Sequence, residues 1–133
     1  MFLIDTSVWV DFLRNKRTVA TDHLEMILDE KLPFGITSVI YQEILQGAAS
    51  EKDFKTLVSF FSTQNFFYPT SDIGSYQGAA KLYFTCRRKG IMIRSSIDCL
   101  IAQIAIDNKL TLLHSDKDYI EIKKISPALK LAG

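Results

Sequence analysis

Short apolar runs alternate along this chain with longer stretches in which apolar residues recur every three or four positions. That alternation predicts strands interleaved with helices. Phe2-Leu3-Ile4 reads as a first strand, after which Thr6 caps a short helix carrying Val8, Trp9, Phe12 and Leu13 on one side. A second helix, roughly His23 to Glu30, places Leu24, Ile27 and Leu28 at helical spacing and stops before Pro33. Phe34-Gly35-Ile36 is the second strand, and Thr37 or Ser38 caps a helix with Val39, Ile40, Ile44 and Leu45 that ends near Gly47.

Ser50 opens another amphipathic stretch through Phe54, Leu57, Val58 and Phe61. Phe66-Phe67-Tyr68, closed by Pro69, is the third strand, and Ile73 to Lys89 is helical up to a stop at Gly90. Ser95-Ser96-Ile97-Asp98 has the form of a capping box, with Asp in place of Glu, leading into a helix from Ile97 to Asn108. Thr111 to His114 is the fourth strand, Tyr119 to Lys124 a short helix, and Leu129 to Leu131 a final strand. Strands alternating with helices favour a parallel sheet wrapped by helices. With no linker, repeat or low-complexity segment, residues 1–133 read as one domain.

Composition narrows the classes. With 47% hydrophobic and 23% charged residues the chain has the makings of a core without disulfides or a structural metal. A net charge of +1 argues against a protein that coats nucleic acid nonspecifically. It leaves room for local basic clusters at Arg14, Lys16 and Arg17, and at Arg87, Arg88, Lys89 and Arg94, although solvated helix ends have the same composition. No apolar stretch nears the ~20 residues of a membrane span, and Met1 to Ile4 lacks the form of a signal peptide. Cys86 and Cys99 show no ligand spacing and read as reduced core residues of a cytoplasmic protein.

Four acids stand out against this background. Asp5 stands where the first strand stops, Asp98 in the first turn of a helix, and Asp116 two residues beyond the strand ending at His114. Glu43 neighbours the apolar stripe of its helix, about two turns from the start. Ligands of open parallel sheets gather at the carboxyl ends of the strands, where these acids are expected to meet. Two carboxylates ~5 Å apart repel by roughly 3 kcal/mol at an effective dielectric of 20, so a cluster of four calls for a hard cation. Oxygen-only donors point to Mg²⁺ or Mn²⁺, which can deliver a water to a phosphodiester and stabilise the developing charge. Each acid also has an ordinary role open to it: Asp5 and Asp98 as helix caps, Glu43 as partner to a buried Arg, Asp116 and Asp118 as turn residues. His114 is expected to be a satisfied strand-end histidine. Ser7 and Ser96 have no His-Asp partners, which leaves little support for serine hydrolase chemistry.

The run Ile4-Asp5-Thr6-Ser7-Val8-Trp9-Val10-Asp11-Phe12-Leu13-Arg14 resembles the N-terminal signature of PIN-domain proteins, specifically the VapC toxins of bacterial type II toxin–antitoxin systems. Ser96 to Ala102 is similar to the family's third-acid helix, and Leu112 to Tyr119 to its C-terminal acidic motif, with Tyr119 where Phe is usual. Glu43 matches the second acid. The resemblance implies a three-layer α/β/α sandwich with Asp5, Glu43, Asp98 and Asp116 around Mg²⁺ or Mn²⁺, Asp118 being the alternative fourth acid. It implies an endoribonuclease acting on structured RNA, such as the anticodon stem-loop of initiator tRNA or a ribosomal RNA loop. It further implies a homodimer held inactive by a VapB-type antitoxin. Thr6 or Ser7 would orient Asp5 or touch phosphate, and Arg14 or Arg94 would contact RNA backbone or antitoxin.

Three other readings compete. A catalytically silent PIN-like binding module would be expected to have lost at least one acid. A phosphatase or receiver domain would want a second acid beside Asp5, and a dinucleotide-binding domain a G-x-G-x-x-G after a strand; both are lacking.

Overall fold

In the computed structural model, which describes residues 1–133, the first apolar run becomes the middle strand of a five-stranded parallel sheet. β1 (Phe2–Ile4) lies between β2 (Phe34–Thr37) and β4 (Thr111–Leu113), and β3 (Phe66–Phe67) and β5 (Lys130–Ala132) form the edges. Phe2 pairs with both Phe34 and Thr111, and Ile4 with Leu113. A strand flanked on both sides and covered on both faces must be apolar throughout, which is why Leu3, Ile4, Leu112 and Leu113 are all fully buried.

The helices are α1 (Thr6–Leu13), α2 (Val19–Asp29), α3 (Ser38–Gln46), α4 (Glu51–Phe61), α5 (Gly74–Arg88), α6 (Ser96–Asp107) and α7 (Lys117–Ile125). The order β3-β2-β1-β4-β5 means that the chain first steps outward through β2 and β3, then returns past β1 to β4 and β5. Right-handed crossovers therefore send α1 to α4 to one face and α5 to α7 to the other. The packing agrees: α1 rests on α2 and α3, and α3 on α4, while α5, α6 and α7 pack on one another. The result is a three-layer α/β/α sandwich.

On the first face Trp9 anchors the core edge-on to Phe61, with ring centroids 4.9 Å apart. Gly35 in β2 leaves room for its neighbours: a Cβ there would lie 2.5 Å from Phe67 Cε2 and 2.6 Å from the Asn65 carbonyl oxygen.

Several helix boundaries differ from the sequence-based expectation, each for a local reason. α1 is capped by Asp5 and not by Thr6. α2 begins at Val19, four residues before His23, because Thr18 and Thr21 form a capping box in which threonine does the work of glutamate. α7 begins at Lys117 because Asp116 caps it, and β5 is shifted one residue onward to Ala132. The box expected at Ser95 does not form, since Ser95 Oγ accepts from the Ile97 N–H instead of from Asp98. Four helices end through a left-handed residue: Asn15, Lys31, Gly90 and Lys109. Each shows paired bonds of the Schellman type, such as Lys109 N–H to Ile106 O and Leu110 N–H to Ala105 O. Only Gly90 announces its stop by composition.

Candidate active site

The strand order changes direction between β1 and β4, the place where open parallel sheets form a crevice at their carboxyl ends. Asp5 lies at that crevice as the cap of α1, with its backbone N–H donating to Leu113 O at 3.0 Å, so β1 and β4 stay paired up to the acid. Its Oδ2 accepts from the Ser7 N–H at 3.0 Å and from the Ser7 hydroxyl at 2.6 Å. Its Oδ1 accepts from the Tyr119 hydroxyl at 2.8 Å. Ser7 Oγ in turn accepts from the Ser115 N–H at 3.1 Å, clamping the loop after β4 to the first turn of α1.

Asp98, released from capping, faces the same crevice with Oδ1 3.4 Å from the Tyr119 hydroxyl. Asp116 caps α7 through Oδ1, which accepts from the Asp118 N–H at 3.0 Å and from Arg94 Nη2 at 2.8 Å. Asp118 is buried, and its Oδ2 accepts from the Arg94 backbone N–H and from Arg94 Nε, each at 3.2 Å. One carboxylate oxygen from each of Asp98, Asp116 and Asp118 lies within 4.8 Å of the other two. Glu43, projecting from α3, accepts at Oε1 from the Thr6 hydroxyl at 2.7 Å.

The electrostatics show that these acids share one space. Burial, and then the charges of Asp5, Asp116, Asp118 and Glu43, push the Asp98 carboxyl up to about 7. Burial raises Glu43 as well, opposed by the Thr6 hydrogen bond and reinforced by Asp5. Burial and the facing charges of Asp5 and Asp98 hold the Tyr119 phenol well above its usual range. Arg94 is the one basic side chain ion-paired to these acids, and its guanidinium is raised by Asp118 and Asp116.

The structure thus brings together Asp5, Glu43, Asp98, Asp116 and Asp118, with Thr6 and Ser7 holding two of them. Arg94 reaches the cluster as an internal counter-ion. Arg14 does not: it is exposed at the end of α1 and makes no ion pair there. His114 is buried, accepts at Nδ1 from the Asp116 N–H at 3.2 Å, and is shifted down by its burial. Cys86 and Cys99 are free buried thiols, and burial pushes Cys99 up to about 12. Sequence reasoning passed over Tyr119. Its signal was a hydroxyl on an otherwise apolar position, three residues after Asp116 and inside the last acidic motif.

A donor set of carboxylate oxygens, with one carboxyl raised by burial and by its acidic neighbours and no thiolate or open imidazole facing it, fits a hard divalent cation.

The PIN domain model matches residues 2–125. The chain belongs to the PIN-domain family. Within that family it is homologous to VapC proteins. It is 33% identical to ribonuclease VapC11 of Mycobacterium tuberculosis over 95% of this chain and 94% of that protein. Among solved structures, the PIN fold here is similar to VapBC2 from Rickettsia felis, solved with a DNA fragment from their promoter (TM-score 0.73, 20% identity, 98% of this chain and 96% of that chain). It is also similar to DNA-bound VapBC from Salmonella typhimurium (TM-score 0.74, 18% identity, 98% and 96%). No helix of this PIN domain is long and apolar enough to cross a membrane.

Proposed function

We propose that this protein is the toxin of a VapBC-type toxin–antitoxin pair and acts as a Mg²⁺- or Mn²⁺-dependent endoribonuclease. The observation that carries the reading is the five-carboxylate crevice at the β1/β4 switch point, which holds more negative charge than Arg94 can offset. Asp5 through Oδ1, Asp98 and Asp116 would hold the cation, with Glu43 at its border. A divalent cation there supplies a Lewis acid for charge developing on a scissile phosphate and lowers the pKa of an attacking water.

The chain's own residues do the rest. Ser7 fixes the plane of Asp5, and Thr6 fixes Glu43 Oε1, leaving Glu43 Oε2 as the atom free to take up a proton. Asp118 is a holder of Arg94 more than a ligand, because its Oδ2 is taken by both the backbone and the side chain of that residue. Arg94, exposed at the rim, keeps its charge at any working pH and is placed to meet a phosphate or an antitoxin carboxylate. Arg14 and Lys16, exposed at the end of α1, extend that role to RNA backbone farther out.

The substrate follows from the resemblance: a structured RNA, foremost a tRNA such as initiator tRNA cut in its anticodon stem-loop, with ribosomal RNA as the alternative. A VapB-type antitoxin is the expected inhibitor, supported by the VapBC complexes that share the fold. A homodimer is expected, and apolar Tyr76, Phe84, Ile97 and Leu100 between α5 and α6 offer it a surface. The setting is the cytoplasm.

The test is incubation of purified, antitoxin-free protein with total tRNA and ribosomal RNA in Mg²⁺, Mn²⁺ or EDTA, followed by mapping of the cut ends. A discrete cut that needs metal supports the reading. No cut in either metal replaces it with a silent PIN-like binding module.

A further inference from the structure

We propose that Tyr119 is a positioning residue of the metal centre, its hydroxyl fixing Asp5 so that Oδ1 presents a single lone pair to the cation. The proposal rests on the metal-dependent reading above. It begins from burial: Tyr119 has no exposed surface, so its hydroxyl touches neither RNA nor antitoxin. The ring alone satisfies the core, packing beside His114 with centroids 5.3 Å apart, and a phenylalanine would fill the same space without a polar atom to desolvate. The hydroxyl is instead aimed at two carboxylates, 2.8 Å from Asp5 Oδ1 and 3.4 Å from Asp98 Oδ1.

Counting acceptor positions shows what this does. Asp5 Oδ2 already receives two hydrogen bonds from Ser7 and has no lone pair left in the carboxylate plane. Oδ1 receives the phenol proton on one side and keeps one lone pair, so Asp5 can ligate through that position alone. Ser7 holds the carboxylate from one end and Tyr119 from the other, which stops rotation about Cβ–Cγ. The phenol has a single proton and it goes to Asp5. Asp98 Oδ1, at 3.4 Å, is the longer and weaker of the two acceptors, and the two acids are spaced around one buried hydroxyl. Partners of this kind, which hold a ligand without touching the metal, commonly matter about 10–100-fold for affinity or rate.

The experiment compares wild-type protein with Tyr119→Phe, full chain in both cases. Mn²⁺ binding is followed by the paramagnetic resonance of the free ion, and cleavage by kcat and KM. The expected result is Mn²⁺ affinity about tenfold weaker in the variant, a matching fall in kcat at limiting metal, an unchanged KM for RNA, and recovery of rate at saturating Mn²⁺. A second arm places 3-fluorotyrosine at position 119 alone and titrates Mg²⁺: its ¹⁹F resonance should shift with a midpoint equal to the Mg²⁺ dissociation constant. Mn²⁺ affinity within twofold of wild type in a folded variant overturns the proposal, as does a ¹⁹F resonance that Mg²⁺ leaves unmoved. The second arm decides alone if Tyr119→Phe unfolds in EDTA. Because Mn²⁺ binding and the ¹⁹F titration are read independently of cleavage, a wild-type protein that binds Mn²⁺ yet cuts no RNA would remove the nuclease reading while leaving the role of Tyr119 to be judged separately.

Discussion

The Thr6 hydroxyl donates a 2.7 Å hydrogen bond to Glu43 Oε1, tying the first turn of α1 to a carboxylate in the middle of α3. Burial raises Glu43, and this bond is what holds it down. Thr6→Val therefore pushes the Glu43 carboxyl further up, so more of it is protonated at neutral pH. The expected outcome is a loss of about 1 kcal/mol in stability and an acid limb of the Mn²⁺-binding profile displaced to higher pH. Titrations of both proteins across pH 5 to 9 measure it; superimposed profiles would dismiss the link.

Asp98 predicts the pH dependence of the metal-free fold. Its carboxyl titrates near 3.8 when unfolded and at about 7 when folded, so the folded state binds the extra proton between these values. The contribution of Asp98 to stability in EDTA is fully present below about pH 4 and is lost as pH rises through 7. A cation displaces that proton, so below pH 7 metal affinity should climb by up to about tenfold per pH unit. Thermal melts in EDTA and in Mg²⁺ between pH 4 and 8 should diverge upward from the acid end.

Asp98→Asn should separate stability from function. Removing the charge relieves repulsion from Asp5, Asp116, Asp118 and Glu43. In EDTA at pH 8 the variant should therefore melt higher than wild type, while Mn²⁺ binding and RNA cleavage disappear. A variant that melts lower yet still cuts RNA would contradict both halves.

Arg94 occupies two acids of the trio Asp98, Asp116 and Asp118. Its removal leaves their repulsion uncompensated, so Arg94→Ala should melt lower in EDTA. The variant should also gain more from Mg²⁺ than wild type, whose gain at a hundredfold excess over Kd is about 2.7 kcal/mol. Equal gains in the two proteins would show that the guanidinium does not compete with the cation.

Gly35 makes a prediction about the scaffold. Its missing side chain admits Phe67 and the backbone of Asn65, and the carbonyl cannot swing aside as a side-chain tip would. Gly35→Ala should cost about 2 kcal/mol in urea unfolding, with Mn²⁺ affinity per folded molecule unchanged.

Much of this was legible in the chain because β1 and β4, enclosed on all sides, must be written in apolar residues, and because Asp5 follows the first of them directly and Asp116 follows the second within three residues. Glu43 could be placed from helical spacing alone. What escaped were features set by partners distant in sequence. The Tyr119 hydroxyl means nothing until Asp5, more than a hundred residues away, is beside it. The start of α2 was missed because threonine substituted for the usual glutamate at Thr21, whereas the ends of α2 and α6 fell within a residue of expectation even though Lys31 and Lys109 take the left-handed conformation usual for glycine. Arg94 was expected to contact RNA or antitoxin, and its pairing inside the chain went unread, since nothing in its neighbourhood foretells that residues 116 and 118 return to meet it.

The central position of β1 also orders events during synthesis. β1 waits for β4, and Asp5 meets Asp98, Asp116 and Tyr119 only once the chain has been translated through α7. No nascent fragment short of Tyr119 contains the constellation. A ribosome making this protein therefore carries a polypeptide without an assembled acidic crevice until α7 has emerged, and only the docking of that helix brings the acids of β1, α6 and α7 face to face.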